Sequence, residues 1–321
     1  MKEEGRVWSI VRNSQGTYKG EKSTIAAFSI VWVWLLKFEL SHGSRLYSKC
    51  PRMILVIHGI VLEADVVDSQ RKHSCLRFAI MVALSTRQVV KWILRNTCKS
   101  RESLTPEIEL RLITETCPMW MSTPDQCPLR DPYWAFYWPG GQALTRFILD
   151  NHQLFVGSHV LDFGAGCGAT SIAAIRSGAQ QVLTNDIDIN AILAARLNFK
   201  LNKTAHWNVT FSNANLLLPY NDPVWSAFTS GQKSYVLLGD MFYDTEFAAV
   251  VLKWLQRVRN QSDVSILVGD PGRHPLADQN HRSRIGVEFK ECLIDEYALP
   301  GYVTKEHYGF TSSKVFQLDL L

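Results

Sequence analysis

A short glycine-rich segment constrains the fold of this chain more than any other feature of its sequence. Residues 160–170 read Val-Leu-Asp-Phe-Gly-Ala-Gly-Cys-Gly-Ala-Thr. The pattern predicts a buried strand at 159–163, a tight turn, and a helix at 170–175 that ends at Ser177-Gly178. Because glycine adopts backbone conformations that other residues avoid, the chain can turn sharply here and approach a ligand closely. The segment therefore predicts the opening strand-turn-helix unit of an α/β fold.

Two classes of cofactor bind at glycine turns of this kind. Gly164, Gly166 and Ala169 satisfy the dinucleotide pattern G-x-G-x-x-G/A. With Asp162 and Gly168, the same stretch resembles motif I of the seven-strand S-adenosylmethionine methyltransferases. A carboxylate two residues before the first glycine repels a pyrophosphate, but it attracts the cationic ammonium and sulfonium of S-adenosylmethionine. The segment favours S-adenosylmethionine, and a glycine turn that binds nothing is the remaining alternative.

Composition and charge exclude several other classes of function. The chain has 321 residues, of which 46% are hydrophobic and 20% charged, as expected for a globular protein with a substantial core. A formal net charge of +4 is too small to imply a nucleic-acid partner. The seven cysteines are widely spaced and form no C-x-x-C pair. They predict neither a metal site nor a disulfide framework, and they indicate a reducing compartment.

Residues 1–86 differ from the rest of the chain and are predicted to form an N-terminal extension. The apolar stretch 25–36 is shorter than the ~20 residues of a membrane span, so we expect no membrane insertion. Between residues 43 and 99, lysine and arginine outnumber the acids, and serine is frequent. This composition is typical of a mitochondrial transit peptide, although an unstructured N-terminus is an equal alternative. Residues 87–321 are predicted to form the catalytic domain.

The segment before the glycine turn contains two predicted helices and an aromatic cluster. Residues 88–96 predict an amphipathic helix, and 103–113 predict a second helix with Thr105 as N-cap and Pro106 in its first turn. An aromatic-rich stretch follows at 131–138. Residues 138–141 predict a turn before a helix at 142–149. The aromatic rings either stack on adenine, surround a substrate lysine or pack in the core, and we expect Trp138 to lie near the cofactor.

Two further strands place candidate cofactor ligands after the turn. Residues 181–188 predict a second buried strand that ends in acid. Asp186 follows Gly164 by 22 positions, close to where such folds place the carboxylate that binds the ribose hydroxyls. Asp188 is the predicted N-cap of a helix at 189–201. A third strand at 208–213 ends near the expected adenine, which makes Asn213 or Asn215 a candidate for the ring edge.

The fourth predicted strand, 234–240, places Asp240 and Tyr243 beside the ligand crevice. Amine-modifying DNA enzymes carry prolines directly after this strand, whereas this chain has Met241 and Phe242, which argues against a flipped-base substrate. A helix at 245–260 and three more strands are predicted to complete the sheet. Those strands lie at 265–269, 292–299 and 312–318.

Four segments carry a resemblance to a known family; they lie at 131–141, 162–170, 185–188 and 240–244. With them the chain resembles the seven-strand protein-lysine methyltransferases, whose Asp-x-x-Tyr motif matches Asp240 to Tyr243. Among these enzymes it is similar to the family that methylates the β subunit of the electron transfer flavoprotein, on strings at 103–112, 131–144, 239–244 and 269–273. The likeness covers roughly residues 87–321 and does not extend to residues 1–86.

The resemblance implies a Rossmann-like seven-strand class I methyltransferase fold, with a mostly parallel sheet and helices on both faces. It also implies S-adenosylmethionine as cofactor, lysines of the flavoprotein β subunit as substrate, altered contact of that subunit with dehydrogenases, and a mitochondrial matrix location. The residues expected to bind the cofactor are Trp138, Asp162, Gly164, Gly166, Gly168, Asp186, Asn213 and Asp240. We expect a monomer without a nucleic-acid or membrane partner.

The reaction requires a neutral lysine amine, although the pKa of free lysine is near ~10.4. An apolar, aromatic-lined channel disfavours the ammonium, whereas Asp240 favours it. We therefore expect Asp240 to bind and orient the lysine, and Tyr243 to line the channel or accept a hydrogen bond. Three alternatives stay open: a methyltransferase for a small molecule or RNA, an NAD-dependent oxidoreductase that Asp162 disfavours, and a non-catalytic scaffold.

Overall fold

The chain divides into two units, Met1–Ser85 and Thr86–Leu321. The computed structural model describes residues 52–57, 60–65, 85–122, 126–129, 131–204, 208–218 and 233–320. In the first unit, β1 (Arg52–Ile57) and β2 (Ile60–Asp65) form an antiparallel hairpin. The apolar stretch 25–36 and the predicted targeting segment lie outside the described residues, apart from this hairpin. Within the described ranges, no helix has the length and apolar character needed to cross a membrane.

Strands and helices alternate through most of the second unit. Its strands are β3 (Cys98–Ser100), β4 (Leu110–Leu112), β5 (His159–Phe163), β6 (Gln181–Asn185), β7 (Val209–Ser212), β8 (Ser234–Gly239), β9 (Val264–Asp270), β10 (Phe289–Ala298) and β11 (Ser312–Leu320). Its helices are α1 (Thr86–Asn96), α2 (Pro139–Asp150), α3 (Ala169–Arg176), α4 (Ile189–Leu201), α5 (Thr245–Gln261), α6 (His274–Ala277), α7 (Gln279–Ile285) and α8 (Gly301–Glu306). The strands and helices predicted from residue 159 onward are confirmed, with ends that move by a few residues.

A seven-stranded sheet with the order β10-β11-β9-β8-β5-β6-β7 organises the second unit. Five neighbouring strands, from β9 across to β7, run parallel to one another. β11 lies antiparallel between β9 and β10. The order of the strands reverses between β5 and β8. In an open α/β sheet, ligands bind in the crevice at the carboxyl ends of the strands at such a reversal.

Two hydrophobic cores cover the two faces of the sheet, because successive side chains of a strand point to opposite faces. Val160 of β5 packs in the core that contains α2 and α3. Its neighbour Leu161 packs in the other core, together with α5. There the fully buried Trp254 stacks on Phe163 with ring centroids 4.7 Å apart. The predicted arrangement of helices on both faces is confirmed.

Helix α2 begins earlier than predicted, and it lies against the sheet. The sequence predicted a turn at 138–141, but Trp138 is the N-cap and Pro139 is the first helical residue. Proline fits this position because its missing N–H would have no partner in the first turn. A Cβ on Gly140 would lie 2.2 Å from the carbonyl oxygen of Gly269 in β9. The glycines therefore allow close helix–sheet contact instead of forming a turn.

The predicted helix at 103–113 is wrong: this segment forms a turn followed by β4. The hydroxyl of Thr105 is buried 3.0 Å from the Tyr137 hydroxyl, and it does not cap a helix. Strand β4 pairs with β3, and Asn198 of α4 accepts a hydrogen bond from the Arg111 backbone at 2.8 Å. These contacts with distant residues override the local capping signal. The helix predicted at 88–96 is confirmed as α1.

Candidate active site

Three glycines form the turn between β5 and α3, at the point where the strand order reverses. Gly164, Gly166 and Gly168 have φ angles of 69°, 50° and 79°, in the left-handed region that favours glycine. Space is also limited, since a Cβ on Gly164 would lie 2.3 Å from the sulfur of Met241. Gly164 and Gly166 line a cleft, while Gly168 is the N-cap of α3. The turn presents bare backbone to that cleft.

Asp162 lies in the wall of the same cleft and is 2% exposed. Its Oδ2 accepts a hydrogen bond from the Ser171 hydroxyl at 2.6 Å, and Ser171 in turn accepts one from Thr184 at 2.9 Å. Burial raises the pKa of the Asp162 carboxyl to about 7, because the anion has lost its water. A cation in the cleft would favour the ionised form. This carboxylate fits the ammonium group of S-adenosylmethionine and would repel a pyrophosphate.

Asp186 connects the end of β6 to the glycine turn. Its Oδ2 accepts a hydrogen bond from the Gly166 N–H, and its Oδ1 accepts one from the Asp188 N–H, both at 2.9 Å. Burial raises its pKa to about 6. The carboxylate is thus held beside the cleft, with further lone pairs for a pair of hydroxyls. Asn213, the candidate for the adenine edge, is exposed directly after β7.

Aromatic side chains from the segment before α2 form another wall of the cleft. Phe136, Tyr137 and Trp138 line it together with Gly141 of α2. The Trp138 indole N–H donates to the Tyr133 carbonyl at 2.9 Å, which fixes the orientation of the ring. An aromatic wall opposite a glycine turn can hold a flat ring. Trp138, predicted to lie near the cofactor, is placed in this wall.

Asp240, at the end of β8, is engaged by protein groups on both carboxylate oxygens. Its Oδ2 accepts a hydrogen bond from the Gly140 N–H at 2.6 Å, at the N-terminus of α2. Its Oδ1 pairs with Nε of Arg273, and the two side chains are 3% and 5% exposed respectively. Asp240 also has a φ of 62°, which is unusual for a residue other than glycine. The structure therefore shows the carboxylate expected to bind the lysine in a buried ion pair.

Arg273 is surrounded by aromatic rings as well as by acids. Its guanidinium carbon lies 5.6 Å, 5.8 Å and 5.6 Å from the ring centroids of Trp138, Tyr308 and Phe310. Ring faces attract a cation, so this position suits the guanidinium even though it is buried. The arginine thus links the aromatic wall of the cleft to the Asp240 carboxylate.

A second buried acid, Asp270, lies beside this pair. Its Oδ1 accepts hydrogen bonds from the backbone N–H groups of Gly272 and Arg273, at 2.7 Å and 2.8 Å. Its Oδ2 is buried with no hydrogen-bond partner among the described residues. Burial, followed by the repulsion of Asp240, raises the pKa of Asp270 to about 7. One arginine therefore balances Asp240, while Asp270 is partly protonated near neutral pH.

Tyr243 follows Asp240 by three residues, and its side chain is half exposed. The ring stacks on Phe247 with centroids 5.3 Å apart. Desolvation of the hydroxyl by neighbouring protein atoms and the charge of Asp244 raise its pKa to about 12. The hydroxyl therefore keeps its proton at neutral pH. Tyr243 can donate or accept a hydrogen bond there, but it cannot act as a phenolate base.

Three residues of the site were not predicted from the sequence: Arg273, Asp270 and Gly140. Arg273 appeared only within the string 269–273 that carries the family resemblance, although the position of Asp270-Pro-Gly-Arg273 was informative. That loop leaves the carboxyl end of the strand next to β8, so it faces the same crevice. Because ligands bind at the carboxyl ends of the strands, this position alone could have marked Asp270 and Arg273 as candidate site residues.

The strand order, the glycine turn and the acid at the end of β6 define a class I S-adenosylmethionine-dependent methyltransferase. The model of the family "Ribosomal protein L11 methyltransferase (PrmA)" matches residues 142–223. Among solved structures, a magnesium protoporphyrin IX methyltransferase from Synechocystis with bound S-adenosylmethionine is 17% identical, with a TM-score of 0.36. The match covers 56% of this chain and 79% of that one.

Curated relatives identify the family to which this chain belongs. A protein of Caenorhabditis elegans named electron transfer flavoprotein beta subunit lysine methyltransferase homolog is 51% identical over 241 residues, which are 74% of this chain and 99% of the relative. The electron transfer flavoprotein beta subunit lysine methyltransferase of Danio rerio is 42% identical, over 73% of this chain and 85% of its own length. The chain belongs to the electron transfer flavoprotein β-subunit lysine methyltransferase family.

Proposed function

We propose that this enzyme methylates lysine side chains of the electron transfer flavoprotein β subunit in the mitochondrial matrix, and that it acts as a monomer without nucleic acid. The assignment of the substrate rests on the 51% identity with a relative named electron transfer flavoprotein beta subunit lysine methyltransferase homolog, which is aligned over 99% of its length. The Arg- and Ser-rich composition of the N-terminal residues supports the location. Methylation of the subunit would then change its contacts with dehydrogenases.

S-adenosylmethionine, when bound, would supply the methyl group of its sulfonium: the neutral lysine nitrogen would bond to the methyl carbon in line as the S–C bond breaks, S-adenosylhomocysteine would leave, and the amine would release a proton. The residues that would hold it are Asp162, Gly164, Gly166, Gly168, Asp186, Trp138 and Asn213. Asp240 was also expected to bind the cofactor, but both of its carboxylate oxygens are engaged by Gly140 and Arg273. Asp162 takes the ammonium because it is a buried carboxylate in the cleft wall with a pKa of about 7. Asp186 would take the ribose hydroxyls, and Trp138 would lie against the cofactor from the cleft wall. Asn213 provides a polar edge for the adenine.

Asp240 and Tyr243 position the substrate lysine. Asp240 holds the N-terminus of α2 through Gly140 and holds Arg273 beside the aromatic wall, so it positions the channel for the amine. Arg273 balances the charge of Asp240, which would otherwise stabilise the unreactive ammonium form of the lysine. Tyr243 lines the entrance and offers a hydrogen bond. Positioning and desolvation of the amine, rather than a strong base, therefore supply most of the rate acceleration.

The test uses the full chain, S-adenosylmethionine labelled in its methyl group, and a mitochondrial extract with or without added flavoprotein β subunit. We expect one labelled protein band, at the β subunit, that grows when the subunit is added. Asp240→Asn should remove the label while the cofactor still binds. Asp244→Asn is the matched control, because it removes an acid four residues away at an exposed N-cap that asparagine also fills.

Other outcomes would contradict parts of the proposal. Cofactor binding without a labelled protein would favour a small molecule or RNA as the substrate. A band at a different protein would retain lysine methylation and reject the flavoprotein. Full activity in Asp240→Asn would remove Asp240 from the site. Failure to bind S-adenosylmethionine would reject the assigned role of the glycine turn.

A further inference from the structure

Two cysteines that are distant in sequence have their thiols in contact. The sulfurs of Cys98 and Cys117 lie 3.3 Å apart, and both thiols are free. Cys98 in β3 pairs across the hairpin with Leu112 of β4. The Cys117 sulfur lies 3.6 Å from the carbonyl oxygen of the same Leu112. Both cysteines are therefore held by the same residue on one side of the hairpin.

Cys98 differs from the other cysteines of the described residues. Hydrogen bonds from the Thr116 hydroxyl and from Cys117, with the charge of Arg111, lower the pKa of the Cys98 thiol. Burial raises the pKa of Cys127, and it raises that of Cys167 to about 12. A hydrogen bond from Cys292 to Asp319 raises the pKa of Cys292. Since the thiolate is the reactive form, the lowered pKa favours reaction at Cys98 over Cys127, Cys167 and Cys292.

The surroundings of Cys117 allow the two sulfurs to approach. Cys117 lies in a turn, closed by a hydrogen bond of 2.8 Å from its N–H to the Thr114 carbonyl, and not within a helix or strand. A disulfide requires the sulfurs to move roughly 1 Å closer. Rotation of the two side chains, with a small adjustment of this turn, supplies that movement. Cys98 is partly exposed, so an oxidant can reach it from solvent.

We propose that Cys98 and Cys117 form a reversible disulfide when the enzyme meets a peroxide. The Cys98 thiolate attacks a peroxide oxygen, the O–O bond breaks, and the departing hydroxide takes up a proton to become water. Cys98 is thereby oxidised to a sulfenic acid. The Cys117 sulfur then attacks the Cys98 sulfur, the S–O bond breaks, and the hydroxide leaves as water with the proton from the Cys117 thiol. Two thiols and one hydrogen peroxide give one disulfide and two waters.

The location gives this disulfide a connection to the active site. Directly after β4, the Ile113 N–H donates a hydrogen bond of 2.9 Å to the Ala135 carbonyl. Trp120, three residues beyond Cys117, packs on Phe136 with ring centroids 6.4 Å apart. Phe136 lines the cofactor cleft. The disulfide would join β3 covalently to a turn that rests on the cleft wall.

The test treats the reduced full-length enzyme with hydrogen peroxide, blocks remaining thiols with N-ethylmaleimide, and maps tryptic peptides. Cys98 lies in peptide 96–99 and Cys117 in peptide 112–130, which also contains Cys127. We expect these two peptides to appear as one linked species and to separate after treatment with dithiothreitol. The same linked species must appear in Cys127→Ser, which assigns the bond to Cys117.

Matched variants make the result decisive. Cys98→Ser and Cys117→Ser should lose the linked species, whereas Cys292→Ser, at another partly exposed thiol, should retain it. Equal melting temperatures of the reduced proteins would show that the serine variants fold. The proposal is overturned if Cys98 is oxidised to the sulfinic acid while Cys117 is still alkylated, or if the linked species persists in Cys117→Ser.

Discussion

At the scale of single residues, the buried pair of Asp240 and Arg273 needs a reason beyond stability. Removing two charges from water costs several kcal/mol per ion, so apolar residues in their place often stabilise a protein. This pair lies at the carboxyl ends of two neighbouring strands, next to the cofactor cleft. It also holds the N-terminus of α2 through Gly140. The placement favours a role in the reaction, in which the arginine keeps the carboxylate from stabilising a lysine ammonium.

Replacing the arginine tests that role. Arg273→Met leaves the buried Asp240 carboxylate with the Gly140 N–H as its one remaining hydrogen-bond donor among the described residues. We therefore expect a loss of about 3–5 kcal/mol in the free energy of unfolding. The unbalanced carboxylate should also raise the pKa of the bound lysine amine. The rising limb of kcat against pH, which reports ionisations in the enzyme–substrate complex, would then move to higher pH. Denaturant unfolding and a pH–rate profile measure the two effects.

The double variant Asp240→Asn, Arg273→Met separates the two effects, because it removes both members of the ion pair and leaves neither of them as an unpaired buried charge. We expect it to recover most of the stability that Arg273→Met loses, and to stay inactive because the channel is no longer organised. An unchanged pH profile in Arg273→Met would reject the electrostatic role of the arginine and leave a purely structural one.

Asp162 should make cofactor binding depend on pH. Its pKa in the free enzyme is raised to about 7, and a bound ammonium favours the ionised carboxylate. Below pH 7, binding must therefore release a proton, which weakens it; above pH 7, the carboxylate is already ionised. We expect the Kd for S-adenosylmethionine to rise roughly tenfold from pH 8 to pH 6. Isothermal titration calorimetry across this range, in buffers of different ionisation enthalpy, measures both the affinity and the proton release.

The isosteric variant Asp162→Asn provides the control. It keeps the shape and the bond to Ser171 but has no titratable group. We expect weaker binding at pH 8 and a much flatter pH dependence, with the part that remains due to Asp186, whose pKa is about 6. A wild-type Kd that does not change between pH 6 and pH 8 would mean that Asp162 does not contact the cation.

The sequence could predict those site residues whose position follows from the local pattern. Asp162 and Asp186 are separated by one strand-turn-helix-strand unit, so their neighbourhood follows from spacing. Arg273 lies 33 residues from Asp240, and their contact depends on how β8 and β9 pair. The contact of Cys98 with Cys117 depends likewise on the β3–β4 hairpin, and β4 lies where a helix was predicted. Neither contact could be predicted, because the first depends on which strands pair and the second on a strand that was predicted to be a helix.

At the scale of secondary-structure elements, α2 shows why local signals can mislead. Trp-Pro-Gly-Gly is typical of a turn, because proline and glycine disfavour regular structure. Here proline occupies the first helical position, and the glycines are needed because the sheet is so close. At residues 103–113 the error is the reverse. The capping sequence predicts a helix, but hydrogen bonds to Tyr137 and Asn198 hold the segment as a turn and a strand. In both segments, distant residues decide between two locally acceptable structures.

The paired glycines of α2 allow a matched test. In Gly140→Ala the new methyl would lie 2.2 Å from the Gly269 oxygen, so the helix must move away from β9. We expect a loss of about 3 kcal/mol in stability, at the upper end of ordinary overpacking. In Gly141→Ala the nearest atom is 3.8 Å away, at the Tyr137 ring. That substitution should be neutral, or stabilise by up to about 1 kcal/mol through helix propensity.

Thermal unfolding measures the stability of both variants through their melting temperatures. A shift of roughly 10 °C downward is expected for Gly140→Ala, and little or none for Gly141→Ala. Equal melting temperatures for the two variants would contradict the close approach of α2 to the sheet. Because Gly141 lines the cleft, the comparison concerns stability and not activity.

At the scale of the whole molecule, the order of the parallel strands follows from one repeated rule. Each strand-helix-strand unit crosses over with the same hand, so a glycine turn after β5 and an acid after β6 fix the centre of the sheet. The sequence predicted seven strands and helices on both faces, and this is confirmed. It did not predict that β11 inserts antiparallel between β9 and β10. That step depends on side-chain packing between strands, which alternating hydrophobicity does not specify.

The reaction should need only the second unit of the chain. The Caenorhabditis elegans relative aligns over 99% of its length yet covers 74% of this chain, so about a quarter of the chain has no counterpart in it. The second unit, Thr86–Leu321, contains the seven-stranded sheet and every residue assigned to the site. We expect residues 86–321 alone to unfold cooperatively and to have the kcat/KM of the full chain within about twofold. Purified flavoprotein β subunit and labelled S-adenosylmethionine provide the assay. A folded but inactive 86–321 protein would show that the first 85 residues contribute to the reaction, and would reject the expectation that they act only before it, in targeting.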